Sequence, residues 1–191
     1  MVRVTGGPKL ARKKSRKKLR NAREFAVDMF RNKIVQEVLG FILILGILYF
    51  VVSGVLVLAL RTDTYWRAVI SGSMKHEDES WREYFEERGY DTSQFPIQGG
   101  FERGDMLVTQ GVDSLREIAV GDVIVVDRGE PYPLVHRVGD IMNEDGEARL
   151  TTKGDHNNSP DTSLVRPEQI IGKVIFVIPE LGHLSLWYQG E

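Results

Sequence analysis

Val38 to Leu60 run for 23 residues without a charged side chain, and no other stretch restricts the fold as much. As a helix rising 1.5 Å per residue the run is roughly 34 Å long, enough to cross a hydrocarbon core. Tyr49 and Ser53 are its only polar side chains, and Gly40, Gly46 and Gly54 are tolerated in a membrane helix. A cleaved leader would have an apolar region of about 7–15 residues followed by a small-residue cleavage site. Here the run is longer and leads directly into Arg61. Residues 34–60 are therefore expected to form a single uncleaved transmembrane signal anchor.

Charge sets the expected orientation. Residues 1–33 hold 12 Lys and Arg against Glu24 and Asp28, a net of +10, whereas residues 34–191 carry a net of −12. Basic residues beside a span stay on the cytoplasmic side. The N-terminus is thus expected in the cytoplasm and residues 61–191 outside it. A basic arm can also hold nucleic acid, but next to a span, topology and anionic lipid account for it, so no nucleic-acid partner is expected. Ala22, Phe25, Ala26, Met29 and Phe30 fall at helical spacing among Arg and Lys, predicting a short amphipathic helix on the inner leaflet. Residues 1–18 read as disordered.

Beyond the anchor, short runs rich in Val and Ile recur: Ala68–Ile70, Met106–Thr109, Val123–Val126, Leu134–Val138, Arg149–Thr152 and Ile170–Ile178. Turn formers such as Arg103-Gly104-Asp105, Val120-Gly121-Asp122 and Glu144-Asp145-Gly146 separate them. This pattern predicts a mainly β domain, a barrel or a sandwich, and not βαβ units. Without cysteine it has no disulfide or zinc thiolate, and a domain of about 130 residues must rest on its own core. No phosphate loop or metal-ligand spacing occurs, so no cofactor and no metal are expected. Within Asp78–Arg88, Trp81, Tyr84, Phe85 and Arg88 share one helical face. That face can pack on the β domain or dip into the outer membrane interface. Tyr65 and Trp66, just past the anchor, are better placed for an interfacial aromatic belt.

Ser71-Gly72-Ser73-Met74 follows the span closely, with 12 residues between Leu60 and Ser73. Even fully extended, these reach only about 40 Å. A serine hydroxyl is a weak nucleophile and needs a base. His76, His136, His156 and His183 are available, as are Lys75, Lys153 and Lys173. His136 lies in the alternating strand Leu134-Val135-His136-Arg137-Val138. The loop Lys153-Gly154-Asp155-His156-Asn157-Asn158-Ser159-Pro160-Asp161 carries two aspartates six residues apart, either of which could orient a histidine. Lys75 and His76 read otherwise as a solvated loop, and Lys153 as a surface residue.

Taken in order, Ser-Gly-Ser-Met, Arg-Gly-Asp, Val-Gly-Asp-Val-Ile-Val-Val, Val-His-Arg-Val and Thr-Lys-Gly-Asp-x-Asn with a later Asp resemble the type I signal peptidases. The resemblance is to the archaeal and endoplasmic-reticulum branch, in which histidine replaces the lysine base of most bacterial enzymes. It covers about Val69–Ile178 and implies a membrane-bound serine endopeptidase with a signal-peptidase-like β-sheet domain, cleaving N-terminal signal peptides from exported preproteins. Ser73 then matches the nucleophile, His136 the general base, Asp161 the aspartate usually assigned to the triad and Asp155 a second important aspartate. Ser71 matches a hydroxyl that assists the oxyanion hole, with the Ser73 backbone N–H as the other donor. Expected partners are signal peptides, the lipid bilayer and the protein-export translocon, and the expected location is an archaeal plasma membrane. Two features depart from the family: Lys75-His76 stand where Glu-Pro is usual, and an insertion of residues 75–101, with its helical segment, follows. Two other readings are a Ser-Lys self-cleaving or regulatory protease and an inactive membrane-anchored β module that binds exported chains.

Overall fold

The computed structural model describes residues 30–144 and 146–190. The predicted amphipathic helix in the basic arm, apart from Phe30, lies outside the described residues, as does the segment read as disordered. Helix α1, Lys33–Leu60, is 28 residues long, about 42 Å at 1.5 Å per residue. Asn32 caps it by accepting from the Ile34 N–H at 2.9 Å. It ends at Arg61, whose φ of 54° is left-handed, and the Leu60 carbonyl accepts from the Gly111 N–H at 2.8 Å. Phe41, Leu43, Ile44, Phe50 and Leu58 are all exposed along it. It is the one helix among the described residues long and apolar enough to cross a membrane.

The remainder is built on one antiparallel sheet: β1 Trp66–Ala68, β2 Met106–Gln110, β3 Val123–Val126, β4 Leu134–Glu144, β5 Glu147–Lys153 and β6 Ile170–Ile178. Their spatial order is β1-β2-β6-β3-β4-β5. The choice between barrel and sandwich thus resolves into a single six-stranded sheet. β1 forms two residues earlier than its apolar signal at Ala68–Ile70, because Trp66 to Ala68 are the residues that register with Val108 to Met106.

Side chains of β3 are buried on both faces, which is why its sequence is an uninterrupted apolar run. Val123 and Val125 join Val69, Met74, Phe101, Leu107 and Val174 in one core. Ile124 and Val126 join Ile118, Val138, Leu150 and Val165 in the other.

The insertion contributes a third cluster. Helix α2, Ser80–Glu86, buries Trp81 and Phe85, which pack with Phe95. The Phe85 and Phe95 rings meet edge-on at 5.0 Å. This face therefore packs within the domain, and Trp81 and Phe85 are not available to lipid. Tyr65 is likewise buried and leaves the expected aromatic belt, whereas Trp66 is exposed. A last helix, α3 His183–Gln189, follows β6 and has no counterpart in the sequence expectations.

Candidate active site

β5 stops at Lys153, directly opposite Arg137 of β4. His136 therefore stands one residue beyond the end of its neighbouring strand. The space is filled from two directions, by the turn 71–74 and by the loop 154–161. Close approach there requires a glycine: a Cβ on Gly154 would lie 2.8 Å from the Ser73 carbonyl oxygen and 2.9 Å from His136 Nε2.

His136 is buried. Its Nδ1 lies 2.7 Å from Asp161 Oδ2, and its Nε2 lies 3.1 Å from Ser73 Oγ. A carboxylate can only accept, so Nδ1–H donates to Asp161, and Nε2 is left to accept from the Ser73 hydroxyl. Ser71 Oγ is 3.3 Å from Ser73 Oγ. The six-residue interval between the two aspartates thus has an answer in distance, with Asp161 against His136 and Asp155 elsewhere.

Asp161 is held in turn by Thr152. The Thr152 hydroxyl donates to Oδ2 at 2.6 Å, and the Thr152 carbonyl accepts from the Asp161 N–H at 2.8 Å. Arg128 approaches the same oxygen at 3.5 Å. Burial acts to raise the Asp161 pKa, but donation from His136 and Thr152 and the Arg128 charge outweigh it, holding the carboxyl below its ordinary value.

Asp155 belongs to a different network. Arg137, fully buried, donates to it from Nε at 3.0 Å and from a terminal nitrogen at 2.7 Å. The remaining guanidinium N–H groups go to the carbonyls of Pro96, Ile97 and Gly121. His76 Nε2 lies 2.7 Å from Asp155 Oδ2. Burial would raise the Asp155 pKa, yet hydrogen bonds from His76 and Arg137 bring it below the ordinary value.

Two sequence expectations need correction. His76 is not part of a solvated loop: only 10% of its side chain is exposed, and its ring stacks on Trp81 at 4.6 Å. Lys153 is not a surface residue. It is 5% exposed, and its Nζ donates to the Gly154 carbonyl at 3.2 Å. Burial lowers its pKa, which the Asp155 charge opposes and the Arg137 charge reinforces. As the direct partner of Arg137 it projects from the same face as Arg137, whereas alternation turns His136 to the other. Lys75 does stay half-exposed, ion-paired with Glu102 at 3.3 Å.

Sequence reasoning assigned no role at the site to Thr152, Arg128, Arg137 or Trp81. Arg128 carries no motif signal, and Thr152 opens the Thr-Lys-Gly-Asp motif without a role being assigned to it. Arg137 stood in plain view beside His136, but charged strand residues usually face solvent.

No protein-family profile matches the chain. Among curated proteins, it is similar to the signal peptidase complex catalytic subunit SEC11 of Metarhizium robertsii, 37% identical over 98 residues that cover 47% of this chain and 57% of the relative. The subunits of the same name from Neurospora crassa and Fusarium vanettenii are each 36% identical over the same length and shares. The chain spans 57% of the length of the curated relatives it matches. No archaeal organism stands among these relatives, so the archaeal placement draws no support from them. Motif order and these relatives agree: over the matched half, the chain resembles the endoplasmic-reticulum branch of the type I signal peptidases.

Proposed function

We propose that this protein is a membrane-bound signal peptidase, a serine endopeptidase that removes N-terminal signal peptides from exported preproteins. The observation that carries the reading is the hydrogen-bonded line Ser73 Oγ, His136 Nε2, His136 Nδ1, Asp161 Oδ2, with separations of 3.1 and 2.7 Å, in a chain that also holds a membrane-length apolar helix. Ser73 attacks the scissile carbonyl. His136 takes its proton and later gives it to the leaving amine, while Asp161 fixes the imidazole tautomer. The Ser71 hydroxyl and the Ser73 backbone N–H hold the tetrahedral oxyanion, at about 3–4 kcal/mol for each such donor. Asp155 acts as a structural partner of this site, held away from His136 by Arg137.

A groove of about 930 Å³ runs beside Ser73, with Val69, Ile70, Phe101, Leu134 and Val135 among its lining. It suits an extended apolar segment with small residues before the cut. β1, an end strand of the sheet, offers an edge for main-chain pairing with that segment. The short tether from Leu60 to Ser73 keeps the nucleophile near the outer leaflet, where a cleavage site just past an apolar region emerges. The proposed partners are signal peptides, the bilayer and the export translocon. That the relatives are named as subunits of a complex supports the presence of further subunits.

The test is preprotein cleavage in membranes by single alanine variants of Ser73, His136, Asp155 and Asp161. Loss with Ser73→Ala and His136→Ala is expected, together with labelling by a serine-directed probe that Ser73→Ala abolishes. Full activity of Ser73→Ala rules out the mechanism. Activity kept by His136→Ala but lost by Lys153→Ala would replace the triad with a Ser-Lys pair. Absence of any probe labelling in the wild type would leave an inactive binding module.

A further inference from the structure

Two imidazoles are each paired with an aspartate of the same loop: His136 with Asp161 and His76 with Asp155. Only the first pair touches the nucleophile. The second is built with equal care. The His76 ring stacks on Trp81 with planes 17° apart, and its Nδ1 lies 3.1 Å from the Gln98 carbonyl oxygen, to which it can donate. Gly100, at φ of 63°, lies so near that a Cβ there would come within 2.6 Å of the His76 ring. Trp81, Gln98 and Gly100 all belong to the insertion, so the insertion forms the socket that aims His76 at Asp155.

What Asp155 holds gives this socket a purpose. The Asp155 N–H meets Met74 Sδ at 3.4 Å. The next residue, His156, donates its N–H to the Ser73 carbonyl at 2.9 Å. The residue before it, Gly154, lies against both the Ser73 carbonyl and His136 Nε2. Residues 154–156 therefore form the seat of the nucleophile and lie against the reactive nitrogen of the base. Their one deeply buried side-chain anchor is the Asp155 carboxylate, fixed by Arg137 from the sheet and by His76 from the insertion.

We infer that His76 is a positioning residue for the proposed cleavage: by donating to Asp155 it holds the Gly154–His156 segment where Ser73 Oγ and His136 Nε2 meet. The inference rests on the serine-endopeptidase reading of this same site. The insertion and the Lys75-His76 dipeptide are then parts of the machinery, and the insertion serves as a clamp on the loop behind the nucleophile. A nucleophile seat that loosens by about 1 Å can cost on the order of 100-fold in rate while substrate binding in a separate groove is kept.

The experiment compares the full chain with His76→Phe, His76→Gln and His76→Ala in detergent micelles, measuring kcat and KM for one preprotein and the Tm of each variant. His76→Phe keeps a ring to stack on Trp81 and loses the donor. It is expected to lower kcat on the order of 10- to 100-fold, with KM within about twofold and Tm close to wild type. His76→Gln restores a donor and is expected to recover kcat to within about fivefold of wild type. His76→Ala is expected to match His76→Phe in kcat and to fall below it in Tm. Wild-type kcat in His76→Phe, a loss confined to KM, or a His76→Gln no better than His76→Phe would each overturn the inference. Ser73→Ala runs alongside. If it cleaves normally, the enzyme reading itself has failed. If it is inactive while the His76 variants behave as wild type, that reading stands and only the role of His76 is withdrawn.

Discussion

At the residue scale, the two aspartates that the sequence could not tell apart should separate cleanly in experiment. Asp161 faces the imidazole, so Asp161→Asn keeps the shape but favours the wrong tautomer of His136. By analogy with other triads, kcat should drop by roughly 10⁴-fold, with a smaller loss of Tm than in Asp155→Ala. Asp155 compensates Arg137, which is fully buried. Asp155→Ala leaves that charge unpaired and should cost about 3–5 kcal/mol of stability. Thermal unfolding and cleavage measured on the same two preparations check both; the opposite pattern would exchange the roles. Acid provides a second check. Both carboxyls lie below their ordinary values in the folded protein. Their stabilisation is complete above the unfolded carboxylate value of about 3.9, and is lost as pH falls through the lower folded values. The Tm should therefore decline below about pH 4, less steeply in Asp161→Asn. An equal decline in that variant would remove Asp161 from the account. From sequence, Ser73 and His136 stood out because they lie in ordered motifs that resemble those of the type I signal peptidases, whereas the choice between Asp155 and Asp161 stayed open until distances decided it. The roles of Thr152 and Arg137 were not legible, although both lie in quoted motifs, because which side chain a hydroxyl or guanidinium serves depends on contacts far apart in the chain.

At the element scale, strands announced themselves wherever burial imposes a run or an alternation, as in β3 and β6. β4 was foreseen only as far as Val138, yet it continues to Glu144. Its outer half pairs with β5 in a hairpin and is less buried, so it carries a weaker apolar signal. Helix α3 was not foreseen because Leu186 is its one deeply buried apolar side chain, and a single anchor gives no periodicity. Helix α2 was read correctly from its spacing, but its purpose appears only in three dimensions. Phe85 is fully buried against Phe95, so Phe85→Ala should cost about 3–5 kcal/mol. In a domain of this size the Tm should drop on the order of 10 °C. A change of under about 2 °C would show that the insertion does not depend on this cluster. Gly100→Ala tests the same element from the backbone. Its positive φ and the adjacent His76 ring both exclude a Cβ, so activity should fall as in His76→Phe. Unaltered activity would mean that the ring can shift without disturbing Ser73.

At the scale of the whole molecule, the division of charge along the chain makes an orientation claim that packing cannot make. The basic arm should stay in the cytoplasm, α1 should span the bilayer, and the β domain should lie outside, where signal peptides emerge. The chain has no cysteine, so single cysteines can report each side without a background. Ser15→Cys marks the arm, and Ser163→Cys marks an exposed position on the β domain. With the chain expressed in a bacterial plasma membrane, a membrane-impermeant maleimide should label Ser163→Cys in intact cells at once, and Ser15→Cys only after permeabilisation. The reverse pattern would put Ser73 in the cytoplasm, away from any signal peptide crossing the membrane. Labelling of both in intact cells would mean that α1 does not span. Either outcome would remove the geometric reason for a nucleophile 13 residues beyond an apolar helix, and with it the substrate class proposed for the Ser73–His136–Asp161 line.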